Sequence, residues 1–301
     1  MAINETFAQA SNMFVYGAMG AYTLSMFSFA GAFAQGRDTE TNPENGRKAG
    51  NIAMSLSWLG TALLGAGVLM RALSAGRVPW GNMYEFSITG TFGIMAVFLV
   101  VSLKRDLRWL GLFIILPALL TLGLAITVLY TESAQLIPAL KSYWLLIHVS
   151  AAIVSAGIFT IGASVSILQL MVSRVERRVA EGQSPGRLEP VARRVPSSAT
   201  LDLFSYKLHA FVFPLWTFTV VAGAIWARSA WGRYWGWDPK ETWSFITWVG
   251  YAAYLHARIT VGWKGNRAAV VALFAFSSII FNFFIVNIVF PGLHSYSGVN
   301  K

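Results

Sequence analysis

The chain has 301 residues, of which 55% are hydrophobic and 12% charged, with a net charge of +10 and no cysteine. So few charges exclude an ordinary soluble domain, which carries about 25%. The missing thiols exclude disulfides, thiolate metal sites and thiol chemistry of the chain's own. In a soluble protein the positive charge would point to nucleic acid. In an apolar chain the simpler source is the cytoplasmic Lys/Arg excess of membrane proteins.

Eight apolar runs follow one another at roughly 13–34, 50–70, 84–103, 109–130, 143–172, 208–228, 242–262 and 268–291. Each has about the 20 residues that a helix needs to cross a ~30 Å hydrocarbon core. They are continuous rather than alternating, so they predict helices and not barrel strands. The expected fold is an all-α polytopic membrane protein with about eight transmembrane helices, a single membrane domain over 1–301. Met1–Asn12 has no basic leader region, so the first run is expected to be a retained span.

Lys and Arg set the orientation. Sixteen lie in the connections 35–49, 104–108, 173–207 and 258–267, against seven on the other side. The richer side is expected to be cytoplasmic. Both termini then face outward, and 173–207 is predicted to be a flexible, basic cytoplasmic loop, given its Gly182, Ser184, Pro185, Gly186, Pro190 and Pro196. The external connection 229–241 is the most unusual stretch. Trp231-Gly-Arg233-Tyr-Trp235-Gly-Trp237-Asp238-Pro-Lys240-Glu241 puts four large aromatics and four charges into eleven residues. A lone tryptophan at a membrane interface is ordinarily a belt residue, and Trp80 is expected to be one. Three tryptophans set among fixed Gly, Asp, Pro and Glu suggest a platform for a flat, apolar ligand.

The four histidines sharpen that reading. His148, at the start of the fifth run, and His294, after the eighth, fall on the same external side as the platform. Paired neutral imidazoles are a common way to hold haem iron. Arg233 and Lys240 suit its propionates, and Asp238 can orient an imidazole or pair with an arginine. His256 sits 15 residues after Glu241, roughly 22 Å inward along the seventh helix. An ionisable group inside a span is a functional candidate. His209, at the cytoplasmic start of the sixth helix, is expected to be a simple interfacial residue, close to His256 only if helices six and seven pack. Asn82 and Glu85 fit a helix cap with its third-position partner; Glu85 is a weaker candidate partner for Arg233 or Arg228.

The signature Trp231–Trp243, with Asn82-Met-Tyr-Glu-Phe86 and Gly292-Leu-His-Ser-Tyr296, resembles the CcsA (ResC) family of system II cytochrome c biogenesis. The likeness covers roughly 79–301. It implies a protein that receives haem b from the cytoplasmic side, passes it across the membrane and presents it externally for attachment to apocytochrome c. His148 and His294 would be the external iron ligands, and 229–241 the haem-binding loop. His256 would belong to an inner site completed by a CcsB/ResB-type membrane subunit. A thioredoxin-like thiol reductant, membrane lipid and a bacterial plasma membrane (a thylakoid membrane less so) complete the expected setting, with no nucleic acid. The chain would be a subunit of a haem lyase complex rather than an enzyme alone. The alternatives are a secondary transporter, whose paired broken helices are not evident, a structural subunit with the aromatic loop as docking surface, and a haem protein of the other maturation pathway.

Overall fold

The computed structural model describes residues 3–34, 43–135 and 140–294. Among these the chain is helical, with no strand. The helices are α1 (Glu5–Ala34), α2 (Pro43–Ala75), α3 (Met83–Ser102), α4 (Arg108–Thr127), α5 (Tyr143–Ala180), the short α6 (Glu189–Ala192), α7 (Ser198–Trp231), α8 (Pro239–Ile259) and α9 (Asn266–Ile280). A π-turn, Phe281–Val286, and the three-residue α10, Asn287–Val289, continue α9.

Seven of these helices are long and apolar enough to cross a membrane. The more polar α8 does not reach that composition, yet it runs the same distance. Its start is tied to the far end of α9, where Lys240 Nζ donates to Asn287 Oδ1 at 2.7 Å. Its end is tied to the start of α7, where Arg258 donates to Asp202 Oδ1 at 2.6 Å, and the same oxygen accepts from Gly265 N at 3.1 Å just before α9. An element joined at both ends to its two spanning neighbours spans as they do. The described chain ends share one face of the bundle, with Asn4 N bonded to Ser74 O at the end of α2.

Helices in lipid gain nothing from burying apolar faces against each other, so packing and interhelical polar contacts hold them. Ser11 donates to Gly67 O and Ser25 to Ala53 O, both at 2.7 Å, and Tyr22 meets Thr61 at 2.9 Å, so that α1 and α2 are stitched along their length. Thr247–Ser278 at 2.7 Å and Ser244–Asn282 at 3.0 Å join α8 to α9. Two buried clusters result. One gathers α1–α4 with the inner half of α5. The other gathers Phe159, Trp216, Tyr251 and Tyr254 from α5, α7 and α8 against the alanines of α9. The central helix is α5, which contributes to both.

Three expectations are corrected. The 173–207 segment is largely helical: α5 runs on to Ala180 and α7 begins at Ser198, leaving 181–197 between them. Polar residues extend a helix beyond the bilayer without any hydropathy signal. For the same reason His209 is three turns inside α7, fully buried against Phe159, Tyr251 and Tyr254, and not interfacial. Glu85 pairs with neither Arg233 nor Arg228. It accepts from Arg71 Nε at 3.1 Å, Arg77 Nη1 at 2.7 Å and Gly81 N at 2.8 Å, while Asn82 Oδ1 caps α3 by accepting from Glu85 N. Arg37, Lys301 and the Ser295–Tyr296 end of the third motif lie outside the described residues.

Arg71 and Glu85 are both almost wholly buried. Removing one partner of such a pair leaves an uncompensated buried charge, at a cost of about 3–5 kcal/mol. Glu85→Ala is expected to lower the melting temperature of the detergent-solubilised protein sharply, with Glu85→Gln intermediate; a melting curve matching the parent would show that the pair does not hold the α2–α3 turn.

Candidate functional site

The loop after α7 is built on two carboxylates. Helix α7 stops at Gly232, whose φ of 77° is the left-handed conformation that ends helices. Helix α8 starts at Asp238, which caps it by accepting from Lys240 N at 3.1 Å, with Pro239 in the first turn. Three residues on, Glu241 Oε2 accepts from Asp238 N at 3.1 Å and Gly236 N at 2.8 Å, and Arg233 Nη1 donates to Glu241 Oε1 at 3.1 Å. Asp-Pro-Lys-Glu is therefore a capping box, and part of what makes the signature distinctive is the start of a helix. Trp237, at φ 58°, turns the chain into it. That conformation is uncommon for a side chain of this size.

Asp238 also reaches across the chain. Its Oδ1 lies 2.8 Å from His294 Nδ1, and its Oδ2 accepts from Leu293 N at 2.7 Å. A Cβ on Gly292 would come within 2.5 Å of Asp238 Oδ2, so only glycine lets the two segments meet so closely. Of the two expected roles for Asp238, orienting an imidazole and pairing with an arginine, the first is the one observed. Arg233 is instead bound to Glu241.

His148 is held in a different way. It lies in the second turn of α5, and its Nδ1 is 2.9 Å from the carbonyl oxygen of Thr219 in α7. Gly223 makes room for the ring, since a Cβ there would lie 2.7 Å from His148 Cε1. Carbonyl and carboxylate oxygens only accept, so both histidines carry their proton on Nδ1 and their lone pair on Nε2. Both line one cavity of about 280 Å³ between α3, α5, α7 and α9, together with Trp80, Trp216, Trp226, Trp235 and Lys240. Gly90, Ala152, Ala156, Gly157 and Ala224 give it space. The rest of the wall is mostly apolar, as in small-molecule sites generally.

The aromatic residues divide between roles. Trp235 lines the cavity. Trp231 backs His294 edge-on, with ring centroids 4.7 Å apart. Trp237 is not among the residues that line the cavity and is 66% exposed. Trp226, inside a run that looked like plain membrane helix, stacks on His148 at 6.0 Å and meets His294 edge-on at 5.6 Å. Its signal was the spacing of Thr219, Gly223 and Trp226, four and then three residues apart on one helical face. Trp80, expected only as a belt residue, also lines the cavity. His256 is exposed on the outer side of α8, near the opposite end of the bundle. It does not approach His209, which faces Tyr251 and Tyr254 on the other side of that helix.

The fold and the site together are those of a polytopic membrane protein in which two tautomer-fixed histidines border one apolar cavity. Residues 80–294 match the family model of the cytochrome c assembly proteins, and the chain belongs to that family. It is 36% identical over 283 residues to the cytochrome c biogenesis protein CcsA of Synechocystis sp., covering 78% of this chain and 84% of that one. It is also 36% identical over 241 residues to CcsA of the alga Guillardia theta, covering 76% and 80%. Among solved structures it resembles the cytochrome c haem lyase CcmF, with a TM-score of 0.63 at 15% identity. That likeness takes in 94% of this chain but spans only about half (47%) of the length of CcmF, and it shows the shared fold.

Burial favours the uncharged imidazole of His294 and lowers its pKa below 6.5, although the Asp238 carboxylate opposes this. For Asp238, burial acts to raise the pKa, but the hydrogen bonds from His294 and the backbone outweigh it and the net shift is downward. Both groups therefore make the fold less stable in acid. His294 does so as pH falls through 6.5 and below, where the unfolded chain takes up the proton first, and Asp238 only below about 3.8. NMR of ring-labelled histidine is expected to place the His294 midpoint below 6.5. Asp238→Asn should lower it further by removing the charge that favours imidazolium. A midpoint that rises in the variant would refute this account.

Proposed function

We propose that the chain carries haem b across the membrane and presents it at the external cavity for covalent attachment to apocytochrome c. The observation that carries this reading is the pair of imidazoles on one cavity, each with Nδ1 held by an acceptor and Nε2 left to bind iron. Metal-ligating histidines are fixed in this way by their outer hydrogen bonds. Asp238 is then the orienting group for His294, and the carbonyl of Thr219 for His148. Trp226, Trp231 and Trp235 supply ring faces and edges around them. The printed names of the relatives, cytochrome c biogenesis protein and cytochrome c haem lyase, support the same assignment.

The chemistry asks little of this chain beyond position. The cysteine thiols of the incoming apocytochrome add across the haem vinyl groups, S–H to C=C, with no change of oxidation state. The incoming histidine of the same segment replaces one of the two axial imidazoles. Holding two reactants in register supplies about 7–11 kcal/mol in ideal cases. A chain with no cysteine cannot compete for the vinyl groups.

His256, exposed on the outer side of α8, serves in this reading as one ligand of an inner haem site. A CcsB/ResB-type subunit supplies the other, and the exposure of His256 away from the bundle interior supports a site completed by a second chain. A thioredoxin-like reductant keeps the apocytochrome thiols reduced. The membrane we assign is the bacterial plasma membrane, with the cavity on its outer face.

Purified with its partner subunit, the protein is expected to show the Soret band of bis-histidine haem. His148→Ala and His294→Ala should each lose haem and block cytochrome c assembly, and a colourless preparation with assembly intact in both variants would sink the proposal. His256→Ala should lower haem loading only when the partner is present; unchanged loading removes the inner site alone.

A further inference from the structure

The cavity end of the bundle is rich in charge, and the carboxylates and arginines nearest the cavity are matched. Glu241 is taken by Arg233, Gly236 N and Asp238 N. Asp238 is taken by Lys240 N, His294 and Leu293 N. Glu85 is taken by Arg71, Arg77 and Gly81 N. The Arg228 guanidinium bonds the Gly232 carbonyl and lies over Tyr234. Lys240 is different. Its side chain lines the cavity, and among the described residues no carboxylate stands within ion-pair distance of its ammonium, the Asp238 carboxylate acting on it only from further away. One N–H of its ammonium goes to Asn287 Oδ1, and the ring of Phe283 lies 5.9 Å away. An ammonium has three donors, so two remain for whatever fills the cavity.

A second donor on the cavity wall is unmet. Trp80 Nε1 is buried and has no hydrogen-bond partner among the described residues. An indole N–H can only donate, and leaving it unpaired is costly. Phe86, in the first turn of α3, touches Phe283 at 5.1 Å, which brings the Trp80 loop and the Lys240 turn to one wall of the cavity. A cation with two N–H donors to spare and a buried indole N–H without an acceptor, set in a largely apolar cavity, match a flat apolar ligand that carries carboxylates.

We propose that Lys240 is the counter-cation for a ligand carboxylate in this cavity and that Trp80 Nε1 is an accessory donor to the same wall, whereas Arg233 serves Glu241 and the loop. This rests on the haem reading above and specifies how the propionate edge is received. With Lys240 in the first turn of α8, the helix dipole also favours an anion there. Once the ligand has excluded water, little solvent remains to screen the pair.

The test compares iron protoporphyrin IX with its dimethyl ester, titrated into the protein purified with its partner and read by the Soret band. The parent is expected to bind the diacid about tenfold or more tightly than the ester, the strength of one charge-assisted contact. Lys240→Met should bind both about equally while keeping the bis-histidine spectrum, Lys240→Arg should restore the preference, and Trp80→Phe should weaken it. If Lys240→Met discriminates as well as the parent, or if the parent binds diacid and ester alike, the subsite is wrong and the haem reading stands. If the parent binds neither porphyrin, the haem reading falls and the subsite with it.

Discussion

The carboxylate of Asp238 is the interaction on which the outer end depends. One side chain starts α8, fixes the Leu293 backbone and holds the His294 ring. These contacts bring together segments some 55 residues apart in the chain, Asp238 and Leu293 being 55 apart. They do so at a place where the backbone must leave one spanning helix and enter the next. Without that carboxylate the cap of α8, the tether of the segment after α10 and the tautomer of His294 would all be lost together. Glu241 completes the arrangement by gathering the loop that precedes the cap. Glu85 repeats the device at the start of α3, where it gathers Gly81 N and two arginines. Both loops at the mouth of the cavity are thus folded around a carboxylate in the first turn of the helix that follows. Interior carboxylates of this kind need partners because burying a charge alone is prohibitive. The arginines are consequently committed to structure, which leaves Lys240 facing the cavity.

The spans were legible because lipid imposes a length and a composition that few other settings do. The meeting of His148, His294 and the tryptophan loop at one end followed from alternation of spans and the distribution of Lys and Arg. Two kinds of feature were not legible. Helix ends rich in polar residues give no hydropathy signal, so the apolar runs cover only part of α5 and α7 and put His209 at a surface that it does not touch. Partnerships between charges were also hidden: Arg71 and Arg77 are far from the signature, yet they, and not Arg228 or Arg233, meet Glu85. Hydropathy also hid Trp226. A large aromatic in an apolar run carries no mark of its own, and only the small Gly223 one turn earlier hints at a ring packed nearby.

Small residues explain how a membrane bundle keeps a cavity at all. Along α5 and α7, Ala152, Ala156, Gly157 and Ala224 face the space that larger side chains would fill. Two other glycines of the same pair of helices instead let an imidazole pack closely, and Gly223 does so for His148. Gly162 lets His209 press against α5, where a Cβ would lie 2.6 Å from the imidazole Nε2. The outer half of the α5–α7 contact is therefore opened by glycine and alanine, while the inner half is closed by a buried histidine and its aromatic neighbours. His148 and His209 lie on the same pair of helices but meet different surroundings: one borders a cavity and the other is packed on all sides.

Helix α8 separates the two regions that the proposed route would use. Lys240 and His256 are 16 residues apart in one continuous helix, about 24 Å at 1.5 Å per residue. The face that carries Tyr251 and Tyr254 is buried, and His256 is exposed on another. No side-chain movement brings His256 to the cavity that His148 and His294 share. A ligand visiting both regions must release one before it reaches the other, so the affinity of the inner site cannot help to hold it in the outer one. On the proposed reading the outer cavity draws its own complete set of contacts from this chain: imidazoles for the metal, rings for the apolar body and a cation for the acidic edge. On the same reading a second protein completes the inner region, where His256 faces outward. The two sets stand at opposite ends of one helix, tied at both termini by ion-pair and hydrogen-bond contacts, so each must be complete where it lies.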